Sequence, residues 1–205
     1  SDGTFVYLQG RIDRVDVMTG GGLRVIDYKS GSRKFDPTLV YWGLQLQLLL
    51  YLAAALARVP GSRAAGFFYC RIADPTVQTE SRIREEVERQ IAKKLALSGI
   101  SLSDVTILRA QGGQQAAMVT KDGKPNGRFA ASMVDEAGME KLLAFAQHKA
   151  TDLAGEIYGG TIDDSPYERG TLNACQNCEY SAICVFDPLR KTRRRLTTKK
   201  LEDLT

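Results

Sequence analysis

The abrupt change from hydrocarbon to charge at Val25-Ile26-Asp27-Tyr28-Lys29 constrains this chain more than any other feature. It reads as a strand, and residues two apart in a strand share a face. Val25, Asp27 and Lys29 therefore point one way, and Ile26 and Tyr28 the other. Upstream, Gly10-Arg11-Ile12-Asp13-Arg14-Val15-Asp16 alternates as a second strand. Thr19-Gly20-Gly21-Gly22 supplies the turn, because glycine takes positive φ without steric cost. Folded as a hairpin, the two strands place Asp13 beside Asp27.

Two carboxylates at the end of an apolar hairpin repel each other unless a cation lies between them. Their hard oxygens suit Mg²⁺, or Mn²⁺, which one or two carboxylates hold alongside a phosphate ligand. Lys29 then stands where an ammonium orients an attacking water and stabilises charge on phosphate. Downstream, Gly43-Leu44-Gln45-Leu46-Gln47-Leu48-Leu49-Leu50-Tyr51 reads as helix. Gln47 and Tyr51 are four apart, share a face and can reach the same site. Taken alone, a charged strand end is most often simply solvated; three motifs in order are more specific.

The set GxxDxxD, DYK-S-G and QxxxY resembles the RecB-like branch of the PD-(D/E)xK nuclease superfamily. The resemblance implies that Asp13 and Asp27 are metal carboxylates; the residues themselves add the Tyr28 backbone carbonyl as a candidate further ligand. It also implies that Lys29 is the catalytic lysine, supported by Gln47 and Tyr51. The reaction implied is metal-dependent hydrolysis of DNA phosphodiesters, indifferent to base sequence because the site contacts phosphate. A family element, an acidic or histidine residue on a helix before the first strand, has no counterpart. Only Ser1–Gln9 precede the motif. An alternative of another class keeps the fold without the chemistry, as a DNA-binding or structural module.

The rest of the chain narrows the choice. Its longest apolar run, Leu48–Ala57, falls short of the roughly 20 residues a membrane span needs. No signal peptide is visible, and without an initiator Met the chain reads as a fragment of a larger protein. The single histidine, His148, leaves a histidine triad or zinc site little support and reads as a surface or packing residue. Arg190, Lys191, Arg193, Arg194, Arg195, Lys199 and Lys200 are seven of 28 basic residues, and Asp187, Glu202 and Asp203 three of 24 acids, which leaves 21 of each sign in the rest of the chain. That basic tail (189–205) reads equally as a DNA contact or as a solvated tail or a segment that packs on a missing domain.

The expected fold is α/β: a restriction-endonuclease-like core, a mixed sheet flanked by helices, with a C-terminal helical and cysteine-rich extension, all in one domain. Residues 1–75 would carry the catalytic core: strands Phe5–Asp16 and Leu23–Lys29, a helix from Tyr41 to Ala57 and a buried strand Ala64–Ile72. Within 76–160, Thr79–Ser98 reads as a helix with the stripe Ile83, Val87, Ile91, Leu95 and a Gly99 cap. Val105–Thr120 reads as irregular strands, and Lys121–Arg128 as a flexible loop. Ser132 is the expected cap of a helix from about Asp135 to Tyr158, with Met139, Leu142, Leu143, Ala146, Ala150, Leu153 and Ile157 inward.

In 161–188, Cys175, Cys178 and Cys184 have metal-like spacing but are one thiolate short of a zinc or iron–sulfur site. Cys70 is the other cysteine. It is a possible fourth ligand, although a buried free thiol is the commoner fate. The run from Thr161-Ile162-Asp163 through Cys184-Val185-Phe186-Asp187 resembles the end of the AddB family, second subunits of bacterial AddAB helicase–nucleases. This implies a bacterial cytoplasmic protein with an AddA-like partner, exonuclease-type cutting of the unwound 5′-ended strand, and a role in double-strand break repair. It also implies a 4Fe-4S cluster on the three cysteines and a distant upstream one, acting as a structural staple. A zinc-binding adaptor is a third reading of the same cysteines.

Overall fold

In a computed structural model of the chain, residues 5–72, 76–77, 84–184, 186–187, 189 and 192–205 are described. A five-stranded mixed sheet has the order β1 (Arg14–Val17), β2 (Gly22–Lys29), β3 (Arg63–Arg71), β4 (Ser98–Leu102), β5 (Met133–Val134). β1 pairs antiparallel with β2, β2 parallel with β3, β3 antiparallel with β4, and β4 parallel with β5. The expected α/β core with a mixed sheet flanked by helices is therefore present. The first strand is shorter than expected: only Arg14–Val17 joins the ladder, and 5–13 lie outside any strand.

The predicted helix from Tyr41 to Ala57 is two helices, α1 (Pro37–Tyr41) and α2 (Gln47–Arg58). The break falls at Gly43, whose φ of +79° no regular helix accommodates. Asp36 caps α1 by accepting from Thr38 N, with Pro37 at the first position. Apolar side chains on α2 (Leu48, Leu49, Leu52, Ala55) bury against Leu23 and Val25 of β2 and Ala65, Phe67 and Tyr69 of β3. That burial, roughly 1.5–3 kcal/mol for each large side chain, pins α2 to the β2–β3 pair.

Beyond β3, α3 (Arg84–Lys94) ends earlier than predicted, and Ser98 and Gly99 belong to β4 instead of the helix end. A Cβ at Gly99 would lie 1.9 Å from Phe67 O, so the close β3–β4 approach requires glycine there. The predicted helix start at Thr79 and the stripe residue Ile83 lie outside the described residues. The strands expected in Val105–Thr120 are helices, α4 (Val105–Gln111) and α5 (Gly113–Ala116), because Asp104 caps α4 by accepting from Ile107 N. The Lys121–Arg128 loop is tied down by a Val119–Pro125 bridge.

The long helix is present as α6 (Glu136–Tyr158), but its cap is Asp135, accepting from Gly138 N; Ser132 belongs to a preceding 3₁₀ turn. Met139, Leu142 and Ala146 are buried, whereas Ile157 is 79% exposed. The extension adds a small sheet, β6 (Tyr167–Arg169) between β7 (Leu172–Asn173) and β8 (Arg194–Arg195). The terminal stretch then packs back on α1. Thr38 Oγ1 and Lys199 share two hydrogen bonds, Trp42 Nε1 donates to Thr197 O, and Leu204 joins the main core. The described residues near the end of the tail thus pack on this chain itself, neither solvated throughout nor kept for another domain, while Arg190 and Lys191 lie outside the described residues. No helix among the described residues is long and apolar enough to cross a membrane.

Candidate active site

Hairpin register brings the first carboxylate to the second strand. Arg14 pairs with Ile26, so Asp13, one step before β1, falls level with the Asp27–Tyr28 end of β2. Its carboxylate accepts from Tyr28 N at 2.9 Å. Asp27 is 2% exposed, level with Tyr69 on β3 and on the apolar face that α2 covers. Lys29, two residues on, shares that face, with its Nζ 2.6 Å from Asp27 Oδ2. The buried Asp27 Oδ2 therefore has the Lys29 charge as its partner and no further hydrogen bond.

Lys29 Nζ also donates to Gln47 Oε1 at 3.4 Å, and Gln47 Nε2 donates to the Tyr51 hydroxyl at 3.1 Å. Helix periodicity stacks Gln47 over Tyr51, and α2 packing carries the pair to the strand end. Gly10 lies against the Tyr51 ring: a Cβ there would stand 2.8 Å from Cε1. The structure thus connects Asp27, Lys29, Gln47 and Tyr51 in sequence, with Asp13 at the neighbouring backbone.

An ammonium has three donor hydrogens. Gln47 takes one and the Asp27 charge holds the group close, while the side chain keeps 27% of its surface exposed. A donor is left for an incoming anion or water. Asp13 and Asp27 supply carboxylate oxygens, one pair exposed and one buried beside Lys29, of the hard donor type that a divalent cation takes.

Sequence reasoning missed Tyr69 and Arg33. Tyr69, 2% exposed, lies in a run that reads only as a buried strand, and parallel pairing alone puts it level with Asp27. Burial pushes its hydroxyl pKa up; the Arg33 charge pulls it back and the Asp27 charge adds to the rise. Gln45, expected to need partners, clamps the loop between β2 and α1, accepting from Asp36 N and donating to Lys34 O, both at 2.8 Å.

The cysteines behave differently. Cys175, Cys178 and Cys184 lie in successive turns, and the Cys184 sulfur accepts from Phe186 N at 3.4 Å. Among the described residues no group of three or more cysteine, histidine or acidic side chains gathers to hold a metal. Cys70 is a half-buried free thiol on β3 and is in no such group. His148 is 82% exposed at its side chain, 3.7 Å from Asp152.

Against known families, the profile of the PD-(D/E)XK nuclease superfamily matches residues 2–185. This chain belongs to the PD-(D/E)XK nuclease superfamily. Its curated relatives include an ATP-dependent helicase/deoxyribonuclease subunit of Alkaliphilus metalliredigens, 36% identical over 203 residues, covering 91% of this chain and 18% of the relative. The helicase/deoxyribonuclease subunits of the same name from Alkaliphilus oremlandii and Caldanaerobacter subterraneus subsp. tengcongensis are 33% and 38% identical. Each of these two matches covers 98% of this chain and 19% of the relative. The chain thus spans about a fifth of the length of these relatives. In this chain the parallel-paired strand β2 ends with Asp27 and Lys29, and Asp13, outside the strands, hydrogen-bonds the Tyr28 amide beside them.

Proposed function

We propose that this PD-(D/E)XK domain, residues 1–205, hydrolyses DNA phosphodiester bonds as the nuclease part of an ATP-dependent helicase–nuclease. Cutting is of the exonuclease type, on single strands without sequence preference, in double-strand break repair. The relatives are named as subunits of ATP-dependent helicase/deoxyribonucleases, which supports an AddA-like partner and a cytoplasmic bacterial setting. The observation that carries the reading is the continuous Asp27–Lys29–Gln47–Tyr51 contact chain.

In this reading Asp13, Asp27 and the Tyr28 carbonyl hold Mg²⁺ or Mn²⁺. When bound, the cation activates water and offsets charge on the phosphate. Lys29 presents its free ammonium hydrogen to the attacking water or a phosphate oxygen. Gln47 fixes where Lys29 points, and Tyr51 fixes Gln47. Charge-assisted donors of this kind are worth more in a partly buried site than in water. The 4Fe-4S cluster on Cys175, Cys178 and Cys184 rests on the resemblance alone and would take its fourth ligand from outside this chain. Iron and sulfide analysis after anaerobic purification of the longer protein tests it.

The test of the nuclease reading is cleavage of labelled single-stranded DNA with Mg²⁺ or Mn²⁺, against chelator and Asp27→Ala. Metal-dependent cutting that disappears in the variant is expected. DNA binding with no metal-dependent cutting by the chain or the longer protein would replace this reading with the binding module.

A further inference from the structure

The loop from Ser30 to Asp36 is anchored at its C-terminal half. Phe35 N donates to Ser98 Oγ at 3.1 Å, and the Phe35 ring meets Phe67 edge-on at 5.3 Å. Gln45 clamps Lys34 and Asp36, and the Asp36 carboxylate pairs with Arg169. Arg33 directly precedes these anchors. Its guanidinium lies over the Tyr69 ring, 5.7 Å from the centroid, while Lys29 Nζ lies 6.0 Å from the same centroid. One buried ring therefore gathers two cations, and Asp27, the carboxylate level with that ring, is already held by Lys29. Among the described residues Arg33 has no carboxylate partner, and it is exposed. A divalent cation at Asp13 and Asp27 would leave the local charge still more positive.

Two like charges held near one ring repel unless anions offset them, and the Asp27 carboxylate, 2.6 Å from Lys29, offsets only one. A guanidinium is weakly hydrated, stacks on aromatic faces and offers a planar donor fork to phosphate oxygens. We propose that Arg33, seated on Tyr69, is a substrate-binding residue that takes a backbone phosphate of the DNA strand beside the one Lys29 faces. This rests on the nuclease reading and adds to it a second phosphate subsite. Tyr69 acts as a positioning residue, supplying the platform.

The experiment uses the full 205-residue chain and a fluorescein-labelled oligothymidylate, with binding followed by anisotropy in chelator across a KCl series. In parallel, cleavage is measured with Mg²⁺ and melting temperature is recorded. Arg33→Gln is expected to weaken binding roughly tenfold, as for loss of one charge-assisted contact. It should also flatten the log K against log salt slope by about 0.7, the increment for one single-strand phosphate contact. Arg33→Lys should keep the slope and lose less affinity. In cleavage Arg33→Gln should raise KM more than it lowers kcat.

An unchanged slope and affinity in Arg33→Gln, with unmutated chain that binds and cuts, overturns the Arg33 assignment and leaves the nuclease reading standing. A lower melting temperature with an unchanged slope likewise overturns it, in favour of a structural role. Unmutated chain that neither binds nor cuts brings down both.

Discussion

Lys29 Nζ and Gln47 Oε1 meet at 3.4 Å, so one hydrogen bond joins the end of β2 to the first residue of α2. Sequence separates them by a polar loop and a broken helix; packing of α2 on β2 brings them together. The consequence is that Lys29 is aimed by the helix as well as by its own strand.

Replacing Gln47 with Leu removes that aim while preserving bulk and helix propensity. The expected cost is about 10²-fold in kcat, the scale for a misplaced reacting group. Tyr51→Phe removes only the acceptor of Gln47 Nε2 and should cost less, about tenfold. Single-turnover cleavage with Mg²⁺ measures both, and equal activity of all three proteins would remove the helix from the site.

Asp104 caps α4 and accepts from Arg63 at 3.1 Å. Its pKa lies below the ordinary value, chiefly through the Ile107 N–H; burial opposes this and Arg63 adds to it. For Asp16, burial raises the pKa, but hydrogen bonds from Arg14 and Arg24 outweigh it and the net shift is downward. Depressed folded-state values mean that this stability is present above the unfolded carboxylate pKa and is lost as pH falls through the folded values. The melting temperature should therefore drop below about pH 4. Asp104→Asn with Asp16→Asn should flatten that acid limb. Asp104→Ala should cost about 1–2 kcal/mol at neutral pH in urea titration.

Gly99→Ala should destabilise by about 3 kcal/mol or more, because its Cβ would collide with the Phe67 carbonyl. Gly127→Ala serves as the contrast, since a Cβ there meets nothing within 4 Å and its φ is not positive. Denaturant midpoints compared side by side check the difference.

Leu204, 4% exposed, belongs to the main core although it is the penultimate residue. Leu204→Ala should cost about 2–5 kcal/mol. The exposed Lys200→Gln should stay within about 0.5 kcal/mol. Matching thermal midpoints for Leu204→Ala and the parent would mean that the terminus does not pack as described.

The strands and the helix nearest the site are legible in the sequence because their periods are local and strong: Val25-Ile26 into Asp27-Tyr28-Lys29, and Gln47 to Tyr51. The stretch Tyr41–Ala57 reads as a single helix because its apolar residues continue through Gly43, and only the positive φ there separates α1 from α2. Val105–Thr120 does not read as helix because α4 and α5 are too short to display a helical stripe, and Asp104 works through a cap bond. The tail's charge masks the buried Leu196 and the leucines Leu201 and Leu204 that pack it on the main core.

Backbone repeat alone puts Asp27 and Lys29 on one face of a strand and Gln47 and Tyr51 on one face of a helix, so both pairings are written in the order of residues. Folding in three dimensions adds that these two faces touch, that Asp13 caps the Tyr28 amide, and that Tyr69 stands level with Asp27 with Arg33 over its ring. Strand register and helix docking depend on contacts distant along the chain, with burial of apolar side chains driving them together, and no local repeat encodes the distance at which they meet.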